Sequence, residues 1–325
     1  MRRWAVVLSA VSISLGAATA VAGTSANAGN DNDPYTLSNG HANAGGAGGV
    51  VNARGDNGNA RPRGGGGSPN LINHYGPVQT GTTPVVPIFW GTHWGASPGT
   101  DKIAGIDSLY VGLTTTNVYS TTNTEYTNSS NVHVNGLLSY ATSGYKVDAT
   151  ALTFSGAPST NAIANEVVKV IGANNLVPGA YYPVYVDAGR GNAGYCAWHS
   201  AASLSASPYT EFQFGFFFNL DGDPGCDPGD TVTGHSQGLA ALGSVTGHEY
   251  SEMVTDPQLN AWYDQQGNEN ADKCAWSFNG AETLGNGTSW YIQGNWSNAA
   301  YNAGHGYNYG GRSYRGCING NPLQF

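Results

Sequence analysis

Residues 238–254 read GLAALGSVTGHEYSEMV. At about 100° per residue, Ala241, Val245 and Leu242 fall about 20°, 60° and 120° round from His248, with Glu252 at about 40° and Glu249 at about 100°. One stripe of this predicted helix is therefore apolar in its first turns and carries a histidine and two carboxylates in its last. Ser236 stands just ahead of it as a cap. Carboxylates buried without partners cost several kcal/mol each. The stripe demands a cation, hydrogen-bond donors or a wet cleft.

Outward from this helix, the patterns alternate. Residues 84–90 (PVVPIFW), 181–186 and 212–218 are apolar runs of strand length, and the last is continuous enough for a sheet interior. Residues 101–113 and a run through Ile163, Val167, Val168 and Ile171 have helical spacing, the second capped by Ser159 or Thr160 and stopped by Gly172. Residues 114–145 read as strands and loops, and 290–294 as a late strand. No βαβ rhythm is evident, so the expectation is an α+β fold: a zincin-like mixed sheet packed on helices, one of them a metal-site helix.

The N-terminus has a different character. Arg2 and Arg3 precede an uncharged apolar stretch, residues 4–22, followed by small-residue sites at Ala20-Val21-Ala22 and Ala26-Asn27-Ala28. That is the layout of a signal peptide over residues 1–28, and the expected location is extracellular. Residues 29–70 are dominated by Gly and Asn and predict a disordered linker or removable pro-region. Residues 71–325 are expected to form one domain.

Residues 1–28 hold two arginines and no acid, so their loss takes the net charge from −9 to −11. With 10% charged residues and no basic cluster, the chain is a poor partner for nucleic acid or anionic lipid. Cys196, Cys226, Cys274 and Cys317 suggest two disulfides in an exported chain. Three pairings are open; proximity favours 196 with 226 and 274 with 317.

His248 and Glu252, at i and i+4, can share one ion, with Glu249 beside them as a general base. Asp256 lies about 12 Å along the axis from His248 and precedes Pro257, which makes it a supporting residue rather than a ligand. Glu269 and Asp272 are better placed. Thermolysin-like peptidases have a third ligand in an Asn-Glu context at comparable distance. By that analogy Glu269 is a ligand and Asp272 orients a histidine, or the two roles are exchanged. His199 is a candidate donor to substrate, or a structural histidine beside a disulfide. His235 is a candidate to reach the site from the helix entrance. Gly234-His235-Ser236-Gln237-Gly238 matches the GxSxG elbow, but no buried strand leads into it. Asp221, Asp223 and Asp227 suggest a Ca²⁺ loop without EF-hand spacing.

Several short blocks occur in order: Tyr75-Gly76-Pro77-Val78, Val85-Val86-Pro87-Ile88-Phe89-Trp90-Gly91, Thr255-Asp256-Pro257, Asn260-Ala261-Trp262-Tyr263, Tyr301-Asn302 and Gly311-Arg312. Over roughly residues 71–315 they resemble the EXORDIUM / phosphate-induced protein 1 family. Its plant members are extracellular and linked to growth and to phosphate or brassinosteroid responses. The HEYxExxTDP run with a downstream acid–Cys block resembles the microbial branch. The resemblance implies that His248, Glu252 and Glu269 act as a set, and it implies no reaction.

The expectation is thus a secreted, monomeric zinc-dependent hydrolase, a metallopeptidase of HExxE type. Zn²⁺ would be held by His248, Glu252 and Glu269 or Asp272, with Ca²⁺ as the alternative ion. Glu249 would be the base, and His199 and His235 further catalytic candidates. The substrate would be an extracellular peptide or protein, or a cell-wall glycan. The competing expectation is a non-catalytic extracellular or wall-associated binding protein with a structural metal or none.

Overall fold

The computed structural model describes residues 50–54, 69–94, 99–204 and 210–322. The expected signal peptide and most of the expected linker lie outside them. The fold is α+β, built on one mixed six-stranded sheet. Its strands are β1 (Val50–Asn52), β2 (Ile88–Trp90), β3 (Lys146–Asp148), β4 (Tyr181–Gly189), β5 (Tyr195–Ser203) and β6 (Glu211–Asn219). In space they run β1-β5-β6-β4-β2-β3. The β3, β2, β4 and β6 half is parallel; β5 pairs antiparallel with both β6 and β1.

Side chains alternate across this sheet and form two cross-strand rows. One row is Phe89, Tyr185, Phe217, Ala197 and Val51, each opposite the next. Phe89 stacks on Tyr185 at 5.1 Å and Tyr185 on Phe217 at 4.5 Å. This face packs on α1 (Gly99–Gly112) and α3 (Gln237–Thr255). The Tyr185 hydroxyl meets Tyr110 Oη of α1 at 2.9 Å and Thr246 Oγ1 of α3 at 3.0 Å. The other row is Ile88, Val184, Phe216, Trp198 and Val50. That face, with Trp90, carries α2 (Thr160–Ile171), whose Lys169 ammonium lies over the Trp90 ring.

Local signals explain the elements. Ser159 and Ser236 cap α2 and α3, accepting the amides of Ala162 and Leu239 at 3.2 and 3.3 Å. α2 stops at Gly172, whose φ of 85° suits glycine. The 84–90 run pairs less than expected: Pro84 and Pro87 have no N–H to donate, so Val85 makes only an isolated bridge to Tyr181 and continuous pairing with the main sheet is confined to Ile88–Trp90.

Four differences from the sequence reading have physical causes. α3 is buried on every side from Gly238 to Thr255, not along one stripe. Gly243 and Gly247 let Trp290 and Ile292 lie against its backbone; a Cβ there would sit 2.5 and 2.4 Å from them. Residues 114–145 start with a short helix, Val118–Thr122, because Asn117 caps it reciprocally with Ser120. The late strand at 290–294 is instead two separate pairs, Ser289–Trp290 and Asn295–Trp296. Finally, Val50–Asn52 lie within the expected linker yet form the sheet edge, because two adjacent β-branched residues fit its two faces. The folded unit therefore begins upstream of Leu71.

Two disulfides, Cys196–Cys226 and Cys274–Cys317, complete the frame. Among the described residues, no helix is long and apolar enough to cross a membrane.

Candidate metal centre

The last turns of α3 lie under β5. His248, Glu249 and Glu252 are buried there, and His199 of β5 points down at them, equally buried. The third wall is the segment from Asp264 to Cys274. Asp264 organises it, accepting the amides of Gln266 and Asn268 at 2.9 and 3.0 Å and the Lys273 ammonium at 2.5 Å. Lys273 also lies over the Trp296 ring, and Cys274 is held to Cys317. The loop so braced turns Glu269 and Asp272 inward.

The distances are those of one cluster. His248 Nε2 is 2.9 Å from Glu252 Oε1 and 3.5 Å from Asp272 Oδ1. His199 Nε2 is 3.4 Å from Glu269 Oε2 and 3.7 Å from Glu252 Oε2. The Asp272 amide donates to Glu252 Oε1 at 3.0 Å, and the Glu269 amide to Asp272 Oδ2 at 3.1 Å. Among the described residues, donor atoms of His199, Glu252 and Glu269 lie within 4.8 Å of one another. So do those of His248, Glu249 and Glu252. Glu252 belongs to both groups and turns one oxygen to each histidine.

The electrostatics are one-sided. Burial raises the pKa of Glu249 well above its ordinary value, and the neighbouring Glu252 charge raises it further. Burial raises Glu252, with Asp272 adding and His248 opposing. Burial and then Glu252 raise Glu269. Burial works against a charged His248 ring, but Glu252 and Asp272 outweigh it and lift the pKa well above 6.5. His199 goes the other way: burial lowers it to about 4 despite Glu252. Four acids thus share a dry pocket with two imidazoles. His248 Nε2, Glu249 Oε2, Glu252 Oε2 and Glu269 Oε1 have no hydrogen-bond partner. Orphaned buried acceptors of this kind fit a cation. Donors about 2.0–2.1 Å from a tetrahedral zinc stand about 3.4 Å apart, close to the His199 to Glu269 and His248 to Asp272 separations.

The other candidates sit elsewhere. Asp256 ends α3, and its Oδ1 accepts the amides of Asn260 and Ala261 at 2.6 and 2.7 Å. Burial nevertheless lifts its pKa to about 7. His235 precedes α3, whose first residue, Gln237, is about 16 Å along the axis before His248. It meets Thr233 Oγ1 at 3.1 Å and packs on Trp290, so the structure does not bring it to the cluster. Asp223 pairs with Arg190 and Asp221 with Lys102, which leaves no cage for Ca²⁺ among them.

The sequence leaves His199 as a donor to substrate or a structural histidine beside a disulfide; the structure puts its Nε2 among the acids. The alternation of YCAWHSAAS is masked by small residues, so β5 was not evident as a strand. Val51 was missed altogether. Its amide donates to Glu249 Oε1 at 3.3 Å. The sequence signal was the Val50-Val51 pair, standing alone in a Gly/Asn-rich stretch.

No protein-family model, no curated protein and no solved structure matches this chain.

Proposed function

We propose that this chain is a secreted zinc-dependent hydrolase of peptide bonds with a zincin-like centre. The observation that carries the reading is a pair of buried triads, His199 with Glu252 and Glu269 and His248 with Glu249 and Glu252, which share Glu252 and leave carboxylate oxygens unpartnered. Glu252 is the member every placement of the ion uses. His248 on the same helix, and His199 with Glu269 on the facing elements, supply the other donors. Asp272 Oδ1 stands 3.5 Å from the same His248 Nε2 that meets Glu252, on the ligand side of that ring. A bound zinc supplies a Lewis acid and makes water acidic near neutral pH. Glu249 has one oxygen unpartnered; it takes the proton of the attacking water and delivers it to the leaving amine nitrogen. Export is supported by the two disulfides and the signal-type N-terminus.

One observation favours a second reading, a structural metal in a non-catalytic binding protein: the cluster is closed from solvent. Structural zinc sites are closed and catalytic ones keep an open position. Glu249→Gln separates the two. In the hydrolase it lowers turnover of peptide substrates at least about 100-fold, with the fold kept and zinc stoichiometry unchanged. Purified protein that takes up no stoichiometric metal would end the hydrolase reading and leave a binding protein without a metal.

A further inference from the structure

We infer that residues 50–53 fill the substrate groove of this centre, lying on the free edge of β5 where an extended peptide would bind, and so hold the enzyme shut. The inference rests on the hydrolase reading for the word substrate, and on geometry for the rest.

The first observation is position. Without β1, the strand that carries His199 would be the open edge of the sheet. β1 covers that edge antiparallel, Val50 opposite Trp198 and Val51 opposite Ala197. Ala197 is two residues from His199, so Val51 lies on the same face, over α3. An open edge with unpaired main-chain groups is what an added peptide strand pairs with.

The second is the contact with the base. The Val51 N–H donates to Glu249 Oε1. The strand is thereby tied to the carboxylate that the hydrolase reading makes the base, on the oxygen opposite the unpartnered Oε2. The third is the way the segment is held. Trp276 Nε1 donates to the Asn52 carbonyl at 2.8 Å, the Ala53 amide to Gly194 O at 2.9 Å and the Arg54 amide to Gly225 O at 2.7 Å. These bonds grip the main chain, whatever its side chains. Selectivity comes from the buried Val50, Val51 and Ala53 side chains, which leave room for small or β-branched aliphatic residues. The matching substrate class is an extended peptide with such residues.

The fourth is sequence. Residues 29–49 hold Tyr35 and Leu37 as their larger apolar side chains, and residues 55–68 hold none beyond Ala60 and Pro62. Val50-Val51 is an isolated apolar pair joined to the domain through a stretch with nothing to bury. That is the arrangement of a tethered occupant rather than of a core strand.

The test uses the full chain with Val51→Pro, which removes the donor to Glu249 and so loosens β1 from the centre. A fluorescent peptide of residues 46–55 should bind this variant at least tenfold more tightly than the unaltered chain, by anisotropy, and a scrambled peptide should not. Equal binding to both chains, or none to either, overturns the inference. If Val51→Pro does not fold, Trp276→Phe removes the hydrogen bond to the Asn52 carbonyl while keeping an aromatic ring beside Arg54. Exchange of the Val51 amide should then quicken at least tenfold while α3 amides keep their rates. Exchange of Val51 in step with α3 means that the strand opens only with the whole fold, which also overturns it. Peptide binding without hydrolysis by the zinc-loaded variant leaves the displaceable strand standing and removes the hydrolase reading instead.

Discussion

The backbone amide of Asp272 donates to Oε1 of Glu252 at 3.0 Å, joining two residues 20 apart in sequence. This bond aims the carboxylate: Oε1 is held between the loop and His248, and Oε2 faces His199. Glu252→Gln should therefore act with two opposite signs. The variant retains an acceptor for the Asp272 amide but removes one of several like charges. The metal-free chain should melt higher than wild type, because a buried repulsion is relieved. With zinc the order should reverse. Affinity should drop by more than the about 10–100-fold of an outer-shell change. Wild type should gain about 2.7 kcal/mol at a hundredfold excess over its Kd. Melting curves in chelator and in zinc check both signs.

The loop that brings Glu269 and Asp272 to α3 is anchored at Cys274, linked to Cys317 across 43 residues. Loop-closure entropy assigns this crosslink about 4 kcal/mol. Changing both cysteines to alanine should lower stability by about that amount in urea titrations and weaken zinc binding about tenfold through the loosened loop. Removing Cys196–Cys226 should cost similar stability and act on the site through His199 instead.

Much of this site was legible because helical spacing is rigid: three of its residues lie within five positions, and a period of 3.6 fixes their common face. The stretch containing Glu269 and Asp272 was legible as acids in a loop tethered by a cysteine. The cross-chain partners were not legible. His199 sits in a strand whose alternation is blurred by alanine and serine, and its position depends on which strands neighbour β5. Val51 is further from sequence logic still, since three residues in a glycine-rich context form a strand only because an edge is available. The wholly buried α3 likewise depends on Trp290 and Ile292, which no local pattern ties to Gly243 and Gly247.

Ser236 separates the metal reading from a serine-hydrolase reading of the GxSxG match. Its hydroxyl caps α3 and donates to Asp101 Oδ2 at 2.7 Å. Ser236→Ala should cost about 1 kcal/mol of stability, the usual worth of an N-cap, and leave hydrolysis unchanged. Wild type should also be untouched by serine-reactive phosphonates. Loss of activity in this variant without loss of fold would move the chemistry to the other end of the helix.

Away from the centre, Glu166 and Asp148 both pair with Lys169. Burial, then the hydrogen bond to Asp148, pushes the Glu166 pKa up to about 7. Burial opposes the Asp148 charge, but hydrogen bonds from Glu166 and Lys169 prevail and hold its pKa below the usual carboxylate range. In the unfolded chain both carboxyls titrate near pH 4. Between about pH 4.3 and 7 the folded state therefore binds more protons than the unfolded state, and stability falls as pH rises. Below about pH 3.9 the folded Asp148 stays ionised while the unfolded one is protonated, so stability falls as pH drops. The pair's contribution peaks near pH 4. Glu166→Gln keeps a donor for Asp148 and has no proton to lose. Its stability relative to wild type should rise from about pH 4.3, the ordinary Glu value, and level off above the folded pKa. Urea titrations of the two chains across that range check it; curves that run parallel would show that Glu166 is already ionised in the folded protein.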